Sequence, residues 1–224
     1  DEVLSDINLK NINPLNKYSI HLPDYINPTQ LIDPFSSNKD QRKASLNVLE
    51  RTTIFADRLQ ELTGIKVPVV GSFSTVHYDR VHFYEEHSVK IIPQWLPPIA
   101  WYFGGSVNLN VMNELQDVDF IQKHNLGVCL DICHMILGRN YFNFSTDLLL
   151  DSLDGQVEHV HIADAIGVDG EGLAIGSGNT ENLPLIKKSL NYDCIKVIEV
   201  WQGHLNNGSG FREALIKLTK LYEE

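Results

Sequence analysis

Three short motifs carry residue types that can move protons or hold a metal ion: Asp131-x-x-His134 in LDICH, His159-x-His161 in HVHIAD, and Glu199 in VIEVW. Two carboxylates and an imidazole brought to one place suit a hard-to-borderline divalent cation, Mn²⁺, Mg²⁺, Co²⁺ or Zn²⁺, because those ions take oxygen and imidazole nitrogen donors. Along a strand the side chains alternate faces, so Cys129 shares a face with Asp131, and His159 with His161. The outer member of each pair is nearer the strand end, which makes Asp131 and His161 the ligand candidates and leaves His159 as an inner-core histidine. His134 falls just beyond its strand, within reach of a substrate or a second metal. Each motif alone has a plainer reading, since DxxH is common and a lone glutamate readily pairs with a lysine. Their placement at three successive strand ends favours a site.

Those ends belong to short β-branched runs that alternate with longer helical patterns. Strands are predicted at Tyr18–Leu22, Ile65–Val70, Val89–Ile92, Gly127–Ile132, Val157–Ile162 and Cys194–Val200. The clearest helix spans Gln41–Leu62, with Ala44, Val48, Phe55, Leu59 and Leu62 as its apolar face and Gly64 as its C-cap. Further helices are predicted at Met112–Lys123, Thr146–Leu153, Leu183–Leu190 and Phe211–Tyr222, with at best a short one over His77–His87. His21, Gln94, Asp131, His161 and Glu199 all sit at or close to C-terminal strand ends, where α/β barrels and open sheets build their sites. No GxGxxG or GxxxxGK(S/T) follows a strand, so nucleotide-binding open sheets lose their main support. The pattern therefore predicts an α/β fold, a TIM (β/α)8-type barrel over residues 1–224. Six strands are visible where a full barrel has eight over about 250 residues, so one or two N-terminal βα units are expected upstream, in a longer polypeptide.

Composition narrows the function classes. The chain has 18 Lys+Arg against 29 Asp+Glu, a formal net charge of −11, which disfavours general binding to phosphate backbones. With 43% hydrophobic and 21% charged residues it reads as a soluble globular protein. Its three cysteines are too few for a disulfide scaffold and fit a reducing, cytoplasmic setting. The most apolar stretch, Ile91 to Gly105, is broken by Pro93, Gln94, Pro97 and Pro98, whereas a membrane span needs about 20 apolar residues. Asp1 to Asn16 is too polar for a signal peptide, and a first residue other than Met implies processing or a piece of something longer.

Read together, IHLPDY (Ile20–Tyr25), GVCLDICH (Gly127–His134), HVHIAD (His159–Asp164), EGLAIGSGN (Glu171–Asn179) and VIEV (Val197–Val200) resemble the xylose-isomerase-like TIM-barrel superfamily. It holds sugar isomerases and epimerases and is related to the abasic-site endonucleases. The resemblance covers most of Lys17 to Leu221 and is strongest after Leu126. It implies that Asp131, His161 and Glu199 are metal ligands, that His134 lies against the substrate, and that His21 takes the place of a histidine after an early strand. There are departures. Epimerases of this kind carry a metal-binding, proton-exchanging glutamate where this chain has Gln94 in KIIPQW, and glutamine coordinates only through its carbonyl. VVGSFS and EGLAIG lack histidines and acids that the endonucleases use for zinc, which, with the acidic charge, argues against DNA repair.

The remaining candidates are peripheral. Gly208 and Gly210 in QGHLNNGSGF could cradle a phosphate beside His204, although an ordinary loop with Ser209 as N-cap is favoured. Trp95, with Trp101 and Tyr102, could wall a sugar ring or form a packed lid or interface. Glu171, flanked by two glycines, is a replacement acid if Gln94 has lost that role. The reading that follows is a divalent-metal-dependent isomerase or epimerase acting on a sugar or sugar phosphate by proton transfer next to a carbonyl. In it Asp131, His161, Glu199 and Gln94 are ligands, Glu199, His134 and Glu171 are acid/base groups, and His21, Trp95, His204, Gly208 and Gly210 contact substrate. The expected partners are the small molecule, a second copy of the chain or a fused upstream domain, with neither nucleic acid nor membrane. Alternatives are a catalytically degenerate barrel that binds a sugar or a neighbouring domain and, more distantly, an abasic-site endonuclease.

Overall fold

The computed structural model describes residues 12–73 and 90–223. The helix expected over His77–His87, the residue Val89 and most of the polar N-terminal stretch lie outside them. Two compact units are present, Asp1–Ile92 and Pro93–Glu224.

The first unit contains β1 (Ile20–His21), a small antiparallel pair β2 (Tyr25–Asn27) and β3 (Gln30–Leu31), helix α1 (Lys39–Thr63), β4 (Val69–Gly71) and β5 (Ile91–Pro93). Its three-stranded sheet runs in the order β1-β4-β5, with β1 and β4 parallel. Asn38 caps α1 by accepting the Asp40 and Gln41 amides, and Gly64 ends it in the left-handed conformation at φ 68°, as the sequence predicts. The buried stripe is not the predicted one. It runs through Ser45, Leu49, Thr52, Ala56 and Leu59, while Leu62 is exposed. Ser45 and Thr52 are tolerated there because their hydroxyls donate to the carbonyls of Gln41 and Val48 one turn back, so polar letters occupy core positions.

The second unit opens with the hairpin β6 (Ile99–Tyr102) and β7 (Gly105–Asn108), then α2 (Leu115–Lys123). Next come β8 (Val128–Asp131), α3 (Ile132–Phe142), α4 (Thr146–Leu153) and β9 (Val157–Ile162). A second hairpin, β10 (Asp164–Ile166) with β11 (Gly170–Leu173), precedes α5 (Leu183–Ser189), β12 (Ile195–Ile198) and α6 (Leu205–Glu223). Strands β8, β9 and β12 form a parallel sheet in the order β12-β9-β8. All four residues of β8 are buried, as expected of a parallel strand covered on both faces.

Helix α3 was not anticipated by the sequence pattern. Ile132, Cys133, Met135, Ile136 and Leu137 are all buried, so no polar side marks the 3.6-residue period. Its start is nonetheless specified: Asp131, the last residue of β8, is also its N-cap, accepting the His134 amide at 3.0 Å. One residue thus ends a strand, opens a helix and stands at the sheet end. Helix α4 occupies the predicted Thr146–Leu153, capped by Ser145.

Candidate active site at the ends of the parallel strands

Strand register places the first two site residues side by side. Asp131 on β8 pairs with His161 on β9, and Val197 on β12 pairs with His161 from the other side. The chain then leaves β12 through Glu199, whose amide donates to the Ile162 carbonyl at 2.9 Å. Gln94 joins from the strand before, through a single parallel bridge to Cys129, and the Trp95 amide donates to the Cys129 carbonyl. Four successive segments therefore end in Gln94, Asp131, His161 and Glu199.

Their side chains converge on one ring nitrogen. His161 Nδ1 lies 2.9 Å from Glu199 Oε2, 3.2 Å from the Gln94 amide nitrogen and 3.6 Å from Asp131 Oδ2. Gln94 also donates to Asp131 Oδ2 at 2.9 Å. His134, presented by the first turn of α3, reaches back so that Nδ1 is 3.2 Å from Asp131 Oδ2 and 2.9 Å from the Trp95 carbonyl. Its Nε2 faces Glu171 Oε2 at 3.7 Å. Glu199, His161, Asp131, His134 and Glu171 thus form one chain of titratable contacts. Its middle is buried, and its two end carboxylates are 46% and 38% exposed.

The electrostatics follow from that arrangement. Burial pushes the Asp131 carboxyl up, but the His134 charge and hydrogen bonds from His161 and the His134 amide outweigh it, holding the pKa well below the usual carboxylate range. Burial opposes charge on His134, and Asp131, Glu171 and the Trp95 carbonyl overcome it, raising its pKa to about 9. His161 is treated the same way: burial is outweighed by the Cys129 sulfur, Asp131 and Glu199, and the group stays well above its ordinary value. Burial pushes the Cys129 thiol up to about 11, so it stays protonated.

Glu171 owes its place to a clamped hairpin strand, β11. The Gly172 amide donates to Cys133 Sγ at 3.2 Å and its carbonyl accepts the Trp201 amide at 2.7 Å. Gly172 sits at φ 69°, and a Cβ there would meet the Trp201 Cβ at 3.0 Å. The loop that follows is tied to Asp164, fully buried, whose carboxylate accepts the amides of Ala165, Gly176 and Gly178 and the Asn182 side chain. Neither Cys133 nor Asp164 was singled out from the sequence. The aspartate three residues beyond His161 was the available signal.

Among the other expected substrate contacts, Trp95, Gly208 and Gly210 are placed differently. Trp95 is fully buried, so its ring is packed core and not an open wall for a sugar; it serves His134 through its backbone carbonyl. His204 is exposed, and its carbonyl accepts the Gly208 amide. Gly208 therefore does not offer a free amide to a phosphate, and it follows the left-handed Asn206 and Asn207 at the start of α6. Gly210 packs on Gly203, where a Cβ would meet the Gly203 Cα at 2.8 Å. His21 belongs to the first unit, on β1, with Nδ1 2.6 Å from the Leu22 carbonyl.

The donor set fits a divalent ion: Asp131 and Glu199 each aim a carboxylate oxygen at His161 Nδ1, and rotating the Gln94 amide presents its carbonyl oxygen. A profile described as a xylose isomerase-like TIM barrel matches residues 13–221. An uncharacterized protein of Methanocaldococcus jannaschii is 30% identical over 131 residues, 58% of this chain and 42% of that protein. The match thus spans less than half the length of this curated relative. The crystal structure of a D-tagatose 3-epimerase-like protein superposes with a TM-score of 0.60 at 19% identity, covering 97% of this chain and 82% of that one. That of SacUVDE gives 0.55 at 13% identity, covering 92% and 65%. At such identities both likenesses concern the fold alone.

Proposed function

Because the chain belongs to the xylose isomerase-like TIM-barrel family, we propose that it is a metal-dependent isomerase or epimerase that moves a proton next to the carbonyl of a sugar or sugar phosphate. The observation that carries this reading is the run of contacts from Glu199 through His161, Asp131 and His134 to Glu171, buried at its centre and open at both carboxylate ends. Asp131, His161, Glu199 and the Gln94 carbonyl are the groups that would hold the ion. Bound there, a divalent ion supplies polarisation of the carbonyl and the neighbouring hydroxyl.

Proton transfer falls to the chain's own residues. Glu199 is half-exposed and anchored at His161, which suits it as the base that takes the carbon-bound proton. His134, charged through neutral pH and paired with Glu171, is the group that returns a proton. This couple supplies the second acid that Gln94 cannot. The Trp95 carbonyl, 2.9 Å from His134 Nδ1, helps hold that ring in place.

The likeness to a D-tagatose 3-epimerase-like protein supports a small sugar as substrate, and the net charge of −11 disfavours DNA, although SacUVDE shares the fold. Gln94 is the observation that favours a second reading, a sugar-binding barrel without turnover. The deciding experiment is deuterium wash-in from heavy water on a panel of ketoses and ketose phosphates, with Mn²⁺, Co²⁺, Mg²⁺ or Zn²⁺ added in turn. Exchange that vanishes in both Glu199→Gln and Glu171→Gln supports the enzyme. Sugar binding without exchange under every metal supports the second reading.

A further inference from the structure

Beneath the outer pair Asp131 and His161 lies an inner pair the chemistry above does not use. Cys129 and His159 face each other in the register of β8 and β9, two residues inward along the same strands. Both are fully buried, with Cys129 Sγ 3.4 Å from His159 Nδ1. The His159 and His161 rings meet edge to face at 5.0 Å. A His161 ring nitrogen lies within 4.8 Å of both Cys129 Sγ and a nitrogen of His159.

Donor and acceptor accounting gives this cluster a role. Nδ1 is the His161 nitrogen that faces Glu199, Asp131 and Gln94. To offer a lone pair there, a neutral imidazole must carry its proton on Nε2. A ring N–H in a dry interior needs an acceptor, and a ligating histidine is oriented by whatever receives its second N–H. A thiol can do this and still donate its own proton onward. The consistent arrangement is Nε2–H of His161 to Cys129 Sγ, and Cys129 S–H to His159 Nδ1.

We propose that Cys129 is a positioning residue that, backed by His159, accepts a hydrogen bond from His161 Nε2–H and so leaves the Nδ1 lone pair for a cation held beside the two carboxylates. This rests on the proposed use of His161 as a ligand. It distinguishes Cys129 from Cys133, whose sulfur holds the Gly172 amide.

The test uses the full chain with nitrogen-15-labelled histidine, loaded with Zn²⁺. In the parent, His161 should carry its proton on Nε2. In Cys129→Ala the preference should be lost, and Zn²⁺ affinity, by competition with a chromogenic chelator, should fall by about tenfold. Cys129→Ser, which keeps a donor and an acceptor, should restore both, whereas Cys129→Val, which fills the space without either, should not. A parent His161 protonated on Nδ1 overturns the proposal, even if every variant fails to fold. So does a Cys129→Ala protein whose ring-nitrogen signals and Zn²⁺ affinity stay within twofold of the parent. If the parent takes up no divalent ion, the functional reading itself fails; if parent and Cys129→Ala take up Zn²⁺ alike, only the role of Cys129 fails.

Discussion

Gln94 donates its side-chain amide to Asp131 Oδ2 at 2.9 Å, so a neutral group neutralises nothing where two carboxylates would otherwise stand together. Metal-free, this is a comfortable arrangement, because the amide donates to the aspartate and adds no further like charge. Loaded with a cation, it leaves the site one negative charge short.

Gln94→Glu should reverse both effects. The extra carboxylate should tighten Mn²⁺ binding by about tenfold, an order set by one added charged oxygen ligand. Without metal it should lower the melting temperature, since like charges are forced together in a buried place. Metal titration and thermal melts with and without Mn²⁺ check this; unchanged affinity would place Gln94 away from the ion.

His161→Ala should abolish tight metal binding and leave the far-ultraviolet circular dichroism unchanged. In the parent, the metal must displace the proton that a raised pKa keeps on His161. Affinity should therefore weaken as pH falls from 8 to 6, by up to about tenfold per unit for one displaced proton. Equal metal stoichiometry in parent and variant, by elemental analysis, would contradict the ligand assignment.

His134 makes a stability prediction with a definite sign. Its folded pKa, about 9, is above the unfolded value of 6.5, so its charge stabilises the metal-free fold fully below about pH 6.5. That contribution should decline as pH rises through 9. Histidine resonances followed by nuclear magnetic resonance should show the late titration, and Glu171→Gln should move it earlier.

Gly172→Ala should cost about 1–2 kcal/mol from the left-handed backbone alone. Because the new Cβ also presses on Trp201, the strand carrying Glu171 should shift away from His134. The expected signature is a larger loss in proton exchange than in stability, and an earlier His134 titration like that of Glu171→Gln. Loss of stability with the His134 midpoint unmoved would show that the packing of β11 does not set Glu171.

Asp164→Ala removes the acceptor of three backbone amides and of Asn182, and should destabilise the unit by about 3 kcal/mol in chemical denaturation. Limited proteolysis should then cut first in Ala174–Gly178. A change below about 0.5 kcal/mol would mean that water replaces the carboxylate without cost.

Much of this was legible before any coordinates. The parallel strands and the ligand-type residues at their ends are local signals, and Thr146–Leu153 or the Gly64 end of α1 follow from periodicity and capping chemistry, whereas the Asn38 cap and the antiparallel hairpins were not predicted. The α1 stripe slipped because buried Ser45 and Thr52 satisfy themselves on their own helix, which the letters do not display. Helix α3 was silent because its first two turns, buried from Ile132 to Gly138 except at His134, show no polar face to reveal its period.

The residue types at the strand ends, and with them the proposed class of chemistry, follow from the sequence alone. The partnerships were decided by the tertiary structure: which nitrogen of His161 faces Glu199, that Gln94 reaches Asp131, that Trp95 is core, and that the Gly208 amide is already bonded. The reason is physical. A side chain's type is written at one position, but its neighbours come from strands some 30 to 70 residues apart, joined by a register that only packing and parallel pairing select.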